Sequence, residues 1–201
     1  MSDSRKPTAD RQRELIDAAL EIIARRGIAA LSTRALAEHV GLSTGAIFRH
    51  FPSLDALLEA VVASVEAALD GSFPPDALAP RARLLAFVEA RSAAVGARPG
   101  IMRPILSEQF MLALPADGAA RLRSCVQKTR AFLHRCVADG QSAGVFRRDL
   151  DARALTLIAL GTVQVLVMTA AIPWPGAPPR AATIDALLAL LSAPDPKAVA
   201  S

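Results

Sequence analysis

The sequence predicts an all-α protein, and three observations carry that reading. Apolar residues make up 52% of the 201 residues, whereas Phe and Trp together reach only 4% and Tyr is absent. Segment after segment repeats those apolar residues at i, i+3, i+4 and i+7, the spacing of one helix face. Gly and Pro punctuate the segments, and no stretch shows the alternation of a half-buried strand.

Residues 11–26 place Leu15, Ala18, Ala19, Ile22 and Ile23 on one stripe opposite Glu14, Asp17, Glu21 and Arg25, with Gly27 as a stop. Ser32 and Thr33 offer a cap for a short helix over 34–40, ended by Gly41. Ser43 or Thr44 caps another that runs to about His50. Pro52-Ser53 opens a fourth, whose Leu54, Leu57, Leu58, Val61, Val62, Val65 and Leu69 share a face. Gly71, Pro74, Pro75 and Pro80 mark a linker over 70–80. Helices follow over 81–97, 101–114 and 117–139, then a break from Gly140 to Val145 and a helix over 152–172. Pro173, Pro175, Gly176, Pro178 and Pro179 form a loop. The last helix, 181–191, carries Ile184, Leu187, Leu188 and Leu191 on one stripe.

The formal charge of +4 is compatible with a polyanionic partner without requiring one. Cys125 and Cys136 sit eleven residues apart in one helical segment, roughly 16 Å along its axis. That exceeds the reach of a disulfide, and two free thiols suit a reducing cytoplasm. The polar start of the chain, without an apolar signal core, agrees with a cytoplasmic protein. Residues 154–172 hold nineteen residues without a charge and imitate a membrane span. Thr156, Gly161, Thr162, Gln164 and Thr169 interrupt them, so a helix buried within an oligomer is the preferred reading and no membrane partner is expected.

Two short helices joined by Gly41-Leu42-Ser43 have the form of a helix-turn-helix. Leu36 and Val40 pack the first helix, and Gly41 accepts a left-handed turn that a Cβ would resist. Ile47 and Phe51 pack the second, leaving Thr44, Gly45, Ala46, Arg49 and His50 outward, where small residues let backbone approach base edges in a major groove. From Leu15 to Leu58 the chain resembles the DNA-binding head of the TetR family of bacterial repressors. The matching pieces are Leu15-Ile16-Asp17-Ala18-Ala19, Arg26-Gly27, Thr33-Arg34-Ala35-Leu36-Ala37 and, most specifically, Gly41 through Ser53.

The resemblance implies a TetR-like architecture: a three-helix helix-turn-helix head, residues 1–53, and a helical effector-binding and dimerisation body, residues 54–201. It further implies an Ω-shaped homodimer on palindromic double-stranded operator DNA, with a small-molecule effector that moves the fourth helix and spreads the heads. By position, Thr33 and Arg34 would hold phosphate or a base. Thr44, Gly45 and Ala46 would face bases, Phe48 and His50 would meet the backbone, Arg49 would contact a base or phosphate, Ser43 belongs to the same DNA-binding set, and Ser53 would present the fourth helix to a phosphate. Three positions depart from the family pattern, which commonly has Lys at 44, Tyr at 48 and Lys at 54; here they are Thr44, Phe48 and Leu54, and each change removes the pattern's phosphate-facing donor. The head through Pro52 carries eight basic and six acidic residues, so salt dependence should be shallow and rest on Arg5, Lys6, Arg11, Arg34 and Arg49.

In the body, Phe87, Met102, Ile105, Phe110, Met111 and Met168 are candidate walls of an effector pocket, since Met suits a mouldable apolar cavity. Their apolar character favours a greasy or aromatic effector. Leu157, Gln164, Val167, Ile184, Leu187, Leu188 and Leu191 are candidates for a dimer interface, because a monomer would leave such stripes in water. The sequence holds no Gly-rich phosphate loop, nucleophile elbow or His-Glu-x-x-His, and His134 and Cys136 fall on nearly opposite sides of their helix. No enzyme, metal site or cofactor is expected.

Overall fold

The structure is a computed structural model that describes residues 7–96, 98, 100–101, 107–171 and 175–193. Their helices are α1 Thr8–Arg26, α2 Thr33–Val40, α3 Thr44–Phe48, α4 Leu54–Asp70, α5 Pro80–Gly96, α6 Glu108–Ala113, α7 Ala116–Ser142, α8 Ala152–Ala171 and α9 Arg180–Leu191. A 3₁₀ turn, Ile28–Ala30, follows α1. Among the described residues, extended pairing is confined to an isolated bridge between Phe146 and Ser192. The all-α fold expected from periodicity is the fold observed.

The chain divides into two compact units, residues 1–70 with 97–124, and residues 71–96 with 125–201. The boundary read from sequence, at 53/54, differs because α4 packs on α1 and its Leu57, Val61, Val62 and Val65 are buried.

In the first unit, Leu15, Ala19, Ile22 and Ile23 of α1 meet Leu36 of α2, Ile47 of α3 and the α4 stripe in one core. The segment after α5 belongs to this core. Ile101 is wholly buried, and Gly100 lies so close to α1 that a Cβ there would stand 2.8 Å from the Leu20 carbonyl oxygen. Arg98 donates to Ser64 Oγ at 2.7 Å and pairs with Asp17 at 3.5 Å, while Arg121 Nε donates to Glu66 at 2.9 Å. The helix expected over 101–114 is shorter. Ile101 sits in a turn, and Ser107 takes an extended conformation whose hydroxyl accepts from the Phe110 amide, starting α6 at Glu108.

In the second unit, α8 packs between α5 and α9. Phe73, Phe87 and Phe132 form an aromatic cluster with centroids 4.8–5.7 Å apart, and Arg91, itself buried, lies over the Phe73 and Phe87 rings at 5.1 and 4.9 Å. The linker over 70–80 is therefore anchored by Phe73. Arg83 is buried too and is held by Asp139 and by the Asp76 carbonyl at 3.1 Å. Burial opposes its charge, yet the hydrogen bond to Asp139, together with Cys136 and the Asp139 charge, keeps its pKa above the ordinary value.

The break expected at Gly140 does not occur. Helix α7 continues to Ser142 because Phe146 folds back onto the bare Cα of Gly140, where any Cβ would collide with its ring. Gly144, at φ +71°, makes the reversal, and Arg148 donates to the last carbonyls, Gln141 and Ser142. The window Ala152–Thr169 of α8 is long and apolar enough to cross a membrane, but its Leu155, Ala159, Val163, Leu166 and Val167 are core residues.

Candidate nucleic-acid interface

Each turn of the helix-turn-helix is set by a local device. The Ser32 hydroxyl accepts from the Ala35 amide at 3.1 Å and starts α2. Gly41 ends it in the left-handed conformation, φ +69°, with the Leu42 amide donating back to the Ala37 carbonyl at 2.9 Å. Ser43 starts α3 by accepting from the Ala46 amide, and Ser53 starts α4 by accepting from the Ala56 amide. These two serines, read from sequence as DNA contacts, are thus helix caps first. Each keeps its hydroxyl proton as a donor for a phosphate.

Helix α3 is shorter than the reach to His50, since Pro52 disfavours helical geometry at Phe51 and the chain turns at Arg49-His50. Ile47 and Phe51 are buried, which fixes the rotation of α3. Thr44, Gly45, Phe48 and Arg49 are exposed, and Ala46 and His50 are half-buried. Nothing lies within 4 Å of where a Cβ on Gly45 would be, so the tip is open for close approach of another backbone.

Arg34 is exposed but donates to Glu38 at 2.9 Å, and this hydrogen bond holds its pKa above the ordinary value. Thr33 is half-buried beside it. Arg11 is similarly paired with Glu14 at 2.9 Å. Arg49 forms no ion pair among the described residues. The His50 carbonyl accepts from Gln12 at 3.3 Å, and its ring Nδ1 is buried without a partner among the described residues, leaving Nε2 as the outward nitrogen. Arg5 and Lys6 lie outside the described residues. Another side of the head is acidic: Asp10, Glu14, Asp17 and Glu21 line an open groove of about 800 Å³ with Arg13, His39 and Val40.

The candidates in the body separate. Phe87 is wholly buried in the aromatic cluster, so it is core, and Met168 is 40% exposed on α8. Phe110 is buried and Met111 half-buried in the first unit, apart in the fold's division from Phe87 and Met168. Met102 and Ile105 lie outside the described residues. Sequence reasoning missed a recess of about 540 Å³ lined by Gln127, Arg130, Ala131 and His134 of α7 and Arg153, Thr156 and Leu157 of α8. Its one sequence signal is the i, i+4 pair Arg130 and His134.

Of the dimer candidates, Val167, Leu187, Leu188 and Leu191 are buried inside the protomer and cannot face a second chain; they cover α8 and α9 against their own unit. Gln164 and Ile184 are half-buried. Leu157 is 62% exposed, joined by Ile158, Val165 and Met168 on α8 and by Leu190 on α9.

Comparison with known proteins agrees with this geometry. The family model described as bacterial regulatory proteins, tetR family, matches residues 15–61. No curated protein sequence matches the chain. Among solved structures, the ketosteroid transcriptional regulator KstR2 of Mycobacterium tuberculosis superposes with a TM-score of 0.75 at 19% identity, covering 96% of this chain and 97% of that one. A bacterial regulatory protein in the tetR family from Rhodococcus RHA1 gives 0.68 at 23% identity, covering 92% and 98%. AibR, solved with isovaleryl coenzyme A and operator DNA, gives 0.69 at 17% identity, covering 92% and 100%. The head, residues 15–61, thus matches the tetR family model, and the chain as a whole has the fold of these solved regulators.

Proposed function

We propose that this regulator is a repressor that binds a palindromic operator as a homodimer and leaves it when a small apolar or aromatic effector binds the body. The observation that carries the DNA part is the rotation of α3: Ile47 and Phe51 are buried, so Thr44, Gly45, Phe48 and Arg49 point away from the head. An exposed, open helix tip is what entry into a major groove requires. The dimer part is supported by Leu157, Ile158, Val165, Met168 and Leu190, large apolar side chains on the last two helices that a second copy would cover. The effector reading is supported by two similar solved structures, a ketosteroid transcriptional regulator and a regulator in complex with isovaleryl coenzyme A. The protein would act in the cytoplasm and carry out no catalysis.

The test is selection of bound fragments from genomic DNA, then binding measurements at moderate ionic strength. The expected result is an inverted repeat whose half-sites lie about 34–36 Å apart, or a multiple of that spacing. No preference for any palindromic fragment would sink the proposal. A thermal-shift screen of apolar metabolites tests the effector part: binding at 100 times Kd stabilises the fold by about 2.7 kcal/mol. A regulator that needs no effector would show operator binding and no shift.

A further inference from the structure

Phe48 is the last residue of α3, and its side chain is 48% exposed on the face that also presents Thr44 and Gly45, four and three residues earlier. Ile47, next to it, is the residue that fills the core, while about half of Phe48 stays open to solvent. That face carries one hydroxyl, a stretch of bare backbone and one phenyl ring. The ring can neither donate to nor accept from a phosphate, and laying it against one would strip water from an anion without replacing it. In the major groove the group that suits an unfunctionalised aromatic ring is the C5-methyl of thymine.

We propose that Phe48 is a specificity-determining residue that reads a thymine methyl in each half of the operator. This rests on the DNA-binding reading above. Thr44, one turn earlier on the same face, lies beside the ring to contact the adjacent base, and Gly45 lets the helix come close enough for van der Waals contact. Arg49, without an ion pair among the described residues, follows Phe48 in sequence and supplies charge for the backbone next to the base being read.

The experiment uses the full-length protein and the fragment it selects. Each thymine of one half-site is replaced in turn by deoxyuridine, which removes the methyl and keeps every hydrogen-bonding group. At one position the wild-type protein should bind about threefold to fourfold more weakly, the worth of one buried methyl. Phe48→Ala should bind both fragments equally, and Phe48→Leu should keep part of the preference. Cytosine replaced by 5-methylcytosine at the same position, relative to plain cytosine, should restore a preference in the wild type, part of it in Phe48→Leu and none in Phe48→Ala. Indifference of the wild-type protein to every deoxyuridine, or an undiminished methyl preference in Phe48→Ala, overturns the proposal. The deoxyuridine series needs no variant to fold, and selection of no fragment at all would instead overturn the DNA-binding reading.

Discussion

Arg34 Nε donates to Glu38 Oε1 across 2.9 Å, one turn along α2. On the DNA-binding reading proposed above, an operator phosphate competes with the Glu38 carboxylate for the Arg34 guanidinium. Glu38→Gln should therefore tighten operator binding and steepen the log–log salt dependence by about 0.9, one more phosphate neutralised. In an Arg34→Ala background the same substitution should have no such effect. With Arg11 also paired, the whole slope should stay shallower than about −8; a steeper one in a salt titration would show more phosphate contacts than these cations explain.

The division of the last two helices between core and surface separates two kinds of substitution. Leu157→Glu or Val165→Glu places a charge on the exposed apolar face and should give a folded monomer by light scattering, with helical content intact. Leu191→Glu buries a carboxylate at a fully enclosed position and should prevent folding. A Leu157→Glu protein that remains dimeric places the interface elsewhere.

Gly140 and Phe146 interlock, and the smaller partner permits the larger one. Gly140→Ala would gain about 1 kcal/mol of helix propensity but forces the Phe146 ring from its site, an overpacking cost of about 1–3 kcal/mol. The expected sum is a lower melting temperature. Adding Phe146→Leu should recover part of that loss, so a double-mutant cycle in urea would show coupling between the sites. Additive effects would contradict the interlock.

Both cysteines are buried and neither is in a disulfide. Burial pushes the Cys136 thiol pKa up, against the pull of the neighbouring Arg83. A thiol reagent should find no reactive group in the native protein and two after denaturation. Since the folded pKa is the higher one, this group's contribution is complete below the unfolded value, about 8.5, and fades as pH rises beyond it. Stability should fall as pH rises above about 8.5 towards the raised pKa of the folded state, and less steeply in Cys136→Ala. An equal fall in both proteins would assign the effect to other groups.

Helix positions, the capped turn at Gly41 and the face of α3 that points outward were legible in the sequence, because each depends on residues within four or five positions of one another. Periodicity says which side of a helix is apolar, and a Ser or Gly at its end says where it stops. What covers that apolar side is a matter of distant partners. The stripe Ile184, Leu187, Leu188 and Leu191 looked like an interface, yet three of its four residues close the core of their own unit, while Leu157 and Val165 face outward. Phe87 read as a cavity wall and lies in an aromatic cluster assembled from residues 73, 87 and 132.

Charge behaved in the same way. The sequence by itself determined an all-helical chain, its helix-turn-helix head and the count of basic groups in that head. Only the tertiary structure decided that Arg34 and Arg11 are spent on neighbouring carboxylates, that Gly140 lies inside a helix, and which apolar groups remain for a partner. The reason is physical: backbone hydrogen bonding is satisfied locally in a helix, whereas burial and ion pairing are settled by whichever distant surface arrives.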